Sequence, residues 1–250
     1  MVKMIQIYDP NDTQAEDIRE LVAACRRHDR TSLSFPLEED MILFLAYEGK
    51  RLCAALSLLP SEEDLWECRG FTHPDFRRQG LFSGLLDQGL EALEAAGDAV
   101  SLCFPVDPRC EAAMAAAESL EAEFWYAEYM MERPLTEADA AAVLPDVSLS
   151  FKKDPDTDSW TCSAAVDGRI IGTAALLSHG SLAYLCQVLV PEDIRGQGYG
   201  TLLILHILKA LAANQVPAVC LQVSGDNEAA MALYKKTGFQ MTETLSYYLF

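Results

Sequence analysis

The chain has 250 residues, half of them hydrophobic, which is enough for one large domain or two compact ones. Its 38 acidic and 19 basic residues give a formal charge of −19, which argues against nucleic acid or an anionic membrane as the main partner, because both need a basic surface. The N-terminus lacks a secretory apolar stretch, no apolar run reaches the roughly 18 residues of a membrane span, and the eight cysteines lack zinc-type spacing. We therefore expect a cytoplasmic protein with reduced thiols and no metal.

The first half opens with a predicted helix and a strand hairpin. From Thr13 to His28 the apolar residues recur at helical spacing. Two strand-like runs follow, Met41–Tyr47 and Arg51–Leu58, separated by a turn around Gly49. After them, Phe82 begins a stripe of apolar residues with acidic residues opposite, which predicts a surface helix with one apolar face.

Three short motifs of the first half return in the second half in the same order. Ordered matches whose offset drifts by single residues indicate a tandem duplication. The seam falls at Pro134–Asp146, so we predict an N-terminal domain at 1–135 and a C-terminal domain at 146–250. The matches are Glu48-Gly49-Lys50 with Asp167-Gly168-Arg169 (offset 119), Asp75–Gly80 with Asp193–Gly198 (offset 118), and Glu111–Ala115 with Glu228–Ala232 (offset 117).

The second half predicts an α+β domain, a mixed and mostly antiparallel sheet flanked by helices, and the first half repeats this plan. The second half lacks the first helical segment, because its first strand runs straight into the hairpin. The predicted strands are Val147–Phe151, Trp160–Val166, Ile170–Leu177, Leu182–Val190, Ala218–Val223 and Thr242–Leu249, and the helices are Gly198–Ala213 and Asn227–Lys236.

The predicted helix at 198–213 is apolar nearly all round, interrupted only by His206 and Lys209. A helix that is apolar on every side needs cover on every side. We hypothesise that the first half or a second subunit supplies this cover, which makes a homodimer one expectation.

A glycine-rich turn precedes this helix and predicts a phosphate site. Glycines let the backbone approach a ligand, and the first N–H groups of a helix lack intrahelical partners and carry partial positive charge. The spacing fits neither a P-loop, since no lysine follows Gly200, nor a Rossmann fingerprint, since the glycines are two apart. The turn reads Arg195-Gly196-Gln197-Gly198-Tyr199-Gly200-Thr201.

This turn resembles the acyl-CoA motif of the GNAT acetyltransferase superfamily, Q/R-x-x-G-x-G/A, which Arg195, Gly198 and Gly200 fill completely. With the element order of each half, the resemblance covers nearly the whole chain, as two tandem GNAT-like domains. It implies that the turn Arg195–Thr201 wraps the pyrophosphate of acetyl-CoA. It also implies that the preceding strand splays from its neighbour, so that Val188, Leu189 and Val190 offer backbone groups to the pantetheine.

Members of this family often carry an asparagine near the start of the last helix and a tyrosine two turns later. Asn227 and Tyr234 match this pattern and lie on nearly one helix face. The resemblance implies that Asn227 orients the pantetheine and that Tyr234 protonates the departing thiolate. Simpler interpretations stay open for both: Asn227 as a helix cap, and Tyr234 as a residue that fills a groove.

The duplicate positions indicate that the first half is degenerate. At the offsets above, Tyr234 becomes Ala117, Asn227 becomes Cys110 and Gly200 becomes Phe82. We therefore predict that the second half is catalytic. The general base is not assigned, because no carboxylate lies on the strand Leu182–Val190.

The sequence thus predicts an N-acetyltransferase that moves an acetyl group from acetyl-CoA to a primary amine on a small molecule or peptide. The alternative is a non-catalytic acyl-CoA-binding module with a regulatory or scaffold role. A third interpretation, a nucleotide-binding protein, predicts affinity for ATP or NAD. The charge alone does not choose the acceptor.

Overall fold

A computed structural model of the protein describes residues 2–35, 37–38, 40–62, 64–96, 101–155, 157, 159–179 and 181–250. The chain forms two compact units: unit 1 comprises Met1–Ala127 and Leu245–Phe250, and unit 2 comprises Glu128–Thr244. The boundaries 1–135 and 146–250 concern the duplicated halves of the sequence and stay a prediction. Among the described residues, no helix has the length and apolar character needed to cross a bilayer.

Unit 1 is a mixed sheet with helices on both faces. Its strands lie in the order β1-β2-β3-β4-β5-β12, and only the β4–β5 pair is parallel. The last strand of the chain therefore completes the sheet of the first unit. The elements are β1 (Val2–Ile7), α1 (Asp12–Asp29), β2 (Ile42–Glu48), β3 (Arg51–Glu62), β4 (Leu65–Thr72), α2 (Leu81–Ala96), β5 (Ser101–Val106), α3 (Glu111–Ser119), the start of β6 (Glu123–Pro134) and the end of β12 (Gln240–Leu249).

Alternation along β2 separates the two faces of this sheet. Leu43 and Leu45 pack in one buried cluster with residues of α1, whereas Phe44 and Ala46 pack in another with residues of α2. The predicted helix at 13–28 is confirmed as α1, which begins with a capping box formed by Asn11 and Gln14. The predicted one-faced helix is confirmed as α2.

Unit 2 repeats this plan without a counterpart of α1. β7 ends at Lys153 and β8 begins at Ser159, and the residues described between them form no helix, so the predicted absence of the first helical segment is confirmed. The strand order is β6-β11-β10-β9-β8-β7, and only the β10–β11 pair is parallel. The remaining elements are α4 (Glu137–Ala140), β7 (Ser148–Lys153), β8 (Ser159–Val166), β9 (Arg169–His179), β10 (Leu182–Leu189), α5 (Tyr199–Ala213), β11 (Ala218–Ser224) and α6 (Glu228–Lys236).

Part of the cover of α5 comes from a segment that the hypothesis did not name. Within unit 2, α4 packs against α5, and the segment after α4 continues along it. The His206 imidazole lies 2.9 Å from the carbonyl oxygen of Pro145, and the Lys209 ammonium donates to the carbonyl of Ala142 at 2.7 Å. The seam segment thus covers part of α5 and satisfies the two polar residues that interrupt the helix, and the hypothesis of cover from a second subunit stays a prediction.

The hairpins of the two units correspond at an offset of 118, not 119. Ala46 pairs with Ala54 before a register shift in unit 1, and Ala164 pairs with Gly172 before the same shift in unit 2. The sequence match was one residue out because the turn glycines occupy different positions. In unit 1 Gly49 takes the first left-handed position of the turn, whereas in unit 2 Asp167 takes that position and Gly168 follows it.

Candidate active site

A crevice opens between two parallel strands of unit 2. β10 and β11 pair only at Ala183 with Val219 and at Tyr184 with Cys220, and diverge beyond these pairs. Past that point the backbone groups on the facing edges are not used by a ladder between the two strands. This is the divergence that the family resemblance implied for the strand ending at Val190.

A β-bulge lies in β10 beside this crevice. The register with β9 shifts between Cys186 and Leu189, and Gln187 has a left-handed φ of 50°. A bulge leaves one residue unpaired and re-aims its backbone groups. Val188 and Val190 pack against the unit 2 core, while Leu189 is 60% exposed. The segment Val188–Val190, which is predicted to bind the cofactor, therefore borders the crevice where the bulge interrupts the pairing of β10 with β9.

The predicted phosphate turn follows at the end of β10. A short 3-10 turn at Glu192–Ile194 leads into Gly196 and Gly198, whose φ angles are 76° and 88°, and α5 begins at Tyr199. These left-handed angles are strained for residues with a Cβ. Gly198 caps the helix without a side-chain hydrogen bond, so the first N–H groups of α5 point out of the helix at its positive end.

Side chains around the turn fix its shape. The Arg195 Nε donates to the carbonyl of Val190 at 3.0 Å, and its Nη1 lies 3.4 Å from the Glu192 carboxylate. Gln197 reaches the carbonyl of Asp193 at 3.5 Å. Tyr199 packs against the core, and Thr201 is half-buried. Arg195 remains largely exposed, so its guanidinium faces solvent beside the start of α5.

Gly200 sits where α5 approaches both β10 and α6. A Cβ at this position would lie 3.3 Å from Leu233 Cδ2 and 3.6 Å from Val190 Cγ2. The first turn of α5 therefore packs closely on α6 through glycine.

Both predicted residues of α6 have defined surroundings. The Asn227 Oδ1 accepts a hydrogen bond from the Ala230 N–H at 3.1 Å, so Asn227 caps the helix. Tyr234 is 7% exposed, and its ring packs edge-on against Phe239 with centroids 5.7 Å apart. Burial raises the pKa of Tyr234, and the nearby Cys186 and Tyr184 contribute in the same direction. The phenol is therefore held in its protonated form, and the catalytic role of Tyr234 stays a prediction.

Two further side chains, which had no role assigned from the sequence, flank the crevice. Tyr184 and Cys186 are half-buried and lie on one face of β10, since they are two residues apart. Burial raises the pKa of Tyr184, with added contributions from Cys186, Cys220 and Glu128, while the Gln222 N–H opposes them by hydrogen bonding. The alternation of side chains along β10 could have indicated that Tyr184 and Cys186 share a face. It could not indicate that Glu128 lies near Tyr184, because Glu128 is distant in the sequence.

The corresponding place in unit 1 is built differently. β4 pairs with β3 without interruption from Trp66 to Thr72, so it has no bulge there. The Phe82 ring lies directly over Gly70, where a Cβ would be 2.5 Å from Phe82 Cε2.

The turn arginine of unit 1 also has a different partner. Arg77, which matches Arg195, donates to the carbonyl of Thr72 at 3.1 Å and forms a two-pronged ion pair with Asp29 of α1 at 2.8 and 2.6 Å. Both side chains are at least four-fifths buried. The arginine that is exposed and paired at 3.4 Å with an exposed glutamate in unit 2 is thus buried in a tight ion pair in unit 1.

A mixed sheet whose central parallel pair diverges beside a glycine-rich helix start is the arrangement that the resemblance to the acetyltransferases implied. The model of the acetyltransferase (GNAT) family matches residues 114–239. The chain belongs to this family.

Two relatives that are named acetyltransferases are similar to this chain. A mycothiol acetyltransferase of Mycobacterium sp. (strain JLS) is 24% identical over 92% of this chain and 93% of its own length. Acetyltransferase SG1711 of Sodalis glossinidius is 30% identical over 40% of this chain and 70% of its own length.

The solved structures show the fold. A GCN5-related N-acetyltransferase from Sphaerobacter thermophilus has a TM-score of 0.75 at 17% identity and covers 99% of this chain and 95% of that chain. A tandem GNAT protein from the clavulanic acid biosynthesis pathway has a TM-score of 0.71 at 17% identity, with 100% and 98% coverage. The solved structures thereby confirm the predicted fold class, two tandem GNAT-like domains. The predicted acyltransferase activity is confirmed by the family model and by the named acetyltransferase relatives.

Proposed function

We propose that unit 2 transfers an acetyl group from acetyl-CoA to a primary amine. One observation carries this proposal: the diverging strands, the bulge in β10 and the glycine turn meet at the same end of β10. Unit 1 has the divergence but not the bulge, and Phe82 fills the place where unit 2 has Gly200.

The described residues fit coenzyme A as the acyl carrier. The backbone of Val188, Leu189 and Val190 would pair with the pantetheine amides. The N–H groups from Gly196 to Thr201 would bind the pyrophosphate, with Arg195 adding positive charge. These local donors act at short range, whereas repulsion from the charge of −19 is screened beyond ~8–10 Å at ordinary salt.

Acyl transfer to an amine mainly needs alignment, which is worth up to ~7–11 kcal/mol for well-oriented reactants. The crevice would supply the alignment, and Asn227 would hold the start of α6 in place through its cap. Tyr234 would give its proton to the thiolate as the acyl group leaves. A positioned acid typically adds ~10²–10⁴-fold to the rate.

The acceptor would be a small molecule or a peptide amine, since the acidic charge makes nucleic acid and anionic membranes unsuitable partners. The relatives named mycothiol acetyltransferase make a mycothiol-type amine the first acceptor to test. A cytoplasmic location and a homodimer are part of this proposal and are testable by fractionation and by light scattering.

The test is mass spectrometry of products after incubation with acetyl-CoA and an amine library. We expect an acetylated amine with the wild type and a loss of ~10²-fold or more in kcat for Tyr234→Phe, with the affinity for CoA retained. Tyr248→Phe, in unit 1, is the matched control. Tight CoA binding without turnover on any amine would favour the regulatory or scaffold alternative, and thermal stabilisation by ATP or NAD instead of CoA would favour the nucleotide-binding interpretation.

A further inference from the structure

One face of the unit 2 sheet carries polar side chains where unit 1 carries α1. Residues paired across adjacent strands share a face of the sheet. Tyr184 is paired with Cys220, and further along β11, Ser224 is paired with Glu128 of β6, which puts these residues and Gln222 on one side. Their neighbours Ala183, Leu185, Val219, Leu221 and Val223 point to the other side, into the core that contains α5.

Tyr234 approaches the crevice from the α5 side, because it belongs to that same core cluster. The crevice therefore has a candidate acid on one face of the sheet and, on the other face, polar side chains that are exposed at Gln222 and half-buried at Tyr184 and Glu128. With this arrangement, the thiolate would leave on the face of the sheet that carries Tyr234, and the amine could enter from the opposite, polar face.

Glu128 is the carboxylate on this polar face that is held at the open end of the crevice, opposite Ser224 of β11. The Gln222 side-chain amide donates a hydrogen bond to its carboxylate. Gln222 also contacts Tyr184 through its backbone N–H, and the charge of Glu128 adds to the rise in the pKa of Tyr184. The carboxylate is thus oriented by β11 and lies within electrostatic range of a residue that lines the crevice.

We propose that Glu128 is the catalytic base that accepts the proton of the amine acceptor. This inference rests on the proposed function of unit 2. As the amine nitrogen forms its bond to the acetyl carbon and the carbon–sulfur bond breaks, the nitrogen loses one proton to the Glu128 carboxylate. The thiolate takes one proton from the Tyr234 hydroxyl, and exchange with water returns the proton from Glu128 to Tyr234, so the reaction is balanced without another reactant.

The sequence places this residue in the first half, yet the fold places it in the second unit. β6 follows α3 of unit 1 in the chain, but from Glu128 onward it pairs with β11. The strand LAYLCQVL of β10 carries no carboxylate, so the base would come from a neighbouring strand.

Glu132 provides a matched control on the same strand and face. It is paired with Cys220, which is in turn paired with Tyr184 at the closed end, where β10 and β11 are still joined. On this face, the pair Gln222–Met130 lies between the pair Cys220–Glu132 and the pair Ser224–Glu128 at the open end.

The experiment compares Glu128→Gln with Glu132→Gln, using the best amine from the library and hydroxylamine as a second acceptor. Hydroxylamine is mostly neutral near pH 7 and is a strong nucleophile, so it depends far less on a base than an alkylamine. We expect Glu128→Gln to lower kcat with the alkylamine by ~10²-fold or more, to leave the hydroxylamine rate and the Kd for CoA within about threefold, and to be partly rescued in Glu128→Asp. Glu132→Gln should behave as the wild type.

Each contrary result has a distinct meaning. Wild-type rates with the alkylamine in Glu128→Gln, or an equal loss with both acceptors, would overturn the base assignment while leaving the proposed function standing. A wild-type protein that acetylates neither an amine nor hydroxylamine would overturn the proposed function and this inference with it.

Discussion

Replacing Gly200 by phenylalanine would give unit 2 the residue that unit 1 has at the corresponding position. In unit 1 the Phe82 ring fits because it lies over Gly70. At the same offset, unit 2 has Val188 in place of Gly70. A Cβ at position 200 already comes within 3.3 Å of Leu233, so the ring would enter occupied space.

We expect Gly200→Phe to lower the free energy of unfolding by ~1–3 kcal/mol, the usual cost of overpacking. The gain in helix propensity over glycine, at most ~1 kcal/mol, offsets a part of this. For a chain of this size ~1 kcal/mol corresponds to ~2–4 °C in Tm. The ring would also lie where α5 meets the end of β10, so the Kd for CoA should rise at least tenfold.

Titration calorimetry with CoA and urea unfolding measure the two effects separately. The double variant Gly200→Phe/Val188→Gly recreates the pair found in unit 1, so it should regain part of the stability without regaining CoA affinity. Gly200→Ala, which the family motif allows, should bind CoA like the wild type. Wild-type CoA affinity in Gly200→Phe would refute the idea that this glycine opens the crevice, and no recovery in the double variant would refute the overpacking account.

Two further predictions concern single contacts. Asn227→Ala should destabilise unit 2 by ~1 kcal/mol in urea unfolding, because it removes the cap on Ala230, while Asn227→Asp keeps the cap and should be nearly neutral; equal stability of all three proteins would contradict this. Burial opposes ionisation of Asp29, but hydrogen bonds from Arg77 and His28 outweigh it and hold the pKa of Asp29 below its ordinary value. Its ionised form therefore stabilises the fold above about pH 4, and this contribution is lost as the pH falls through the lowered pKa. Urea unfolding of Asp29→Asn should show a shallower loss of stability below pH 4 than the wild type, and an unchanged slope would refute the assignment.

Much of the fold could be predicted from the sequence because the signals are local. The helix at 13–28 follows from apolar spacing within a short stretch of sequence, and the structure adds the Asn11 cap at its start. The glycine turn could be located because the left-handed angles at Gly196 and Gly198 require a residue type that is visible in the sequence. Comparison of the two halves pointed to three residues of the first half that differ from the motif residues of the second, Phe82, Cys110 and Ala117.

Other features depend on which strands pair with each other, and this pairing cannot be predicted from short stretches of sequence. β12 completes the sheet of unit 1 and β6 that of unit 2, although each strand follows the other half in the chain. The cover of α5 by the seam depends on where that segment folds back, so its hydrophobic pattern showed a need for cover without showing the source. The offset at the hairpin was wrong for a related reason, since turn glycines were matched by residue type and not by hydrogen-bond register.

The amino-acid sequence alone determined the duplicated plan, the family motif and the unequal equipment of the two halves, because these depend on residue types at short spacing. Only the tertiary structure decided that β10 bulges beside a diverging partner, that Phe82 lies over Gly70, and that Glu128 stands beside Gln222. These are contacts between residues distant in the chain, and such contacts are set by the packing and hydrogen-bond register of the whole sheet.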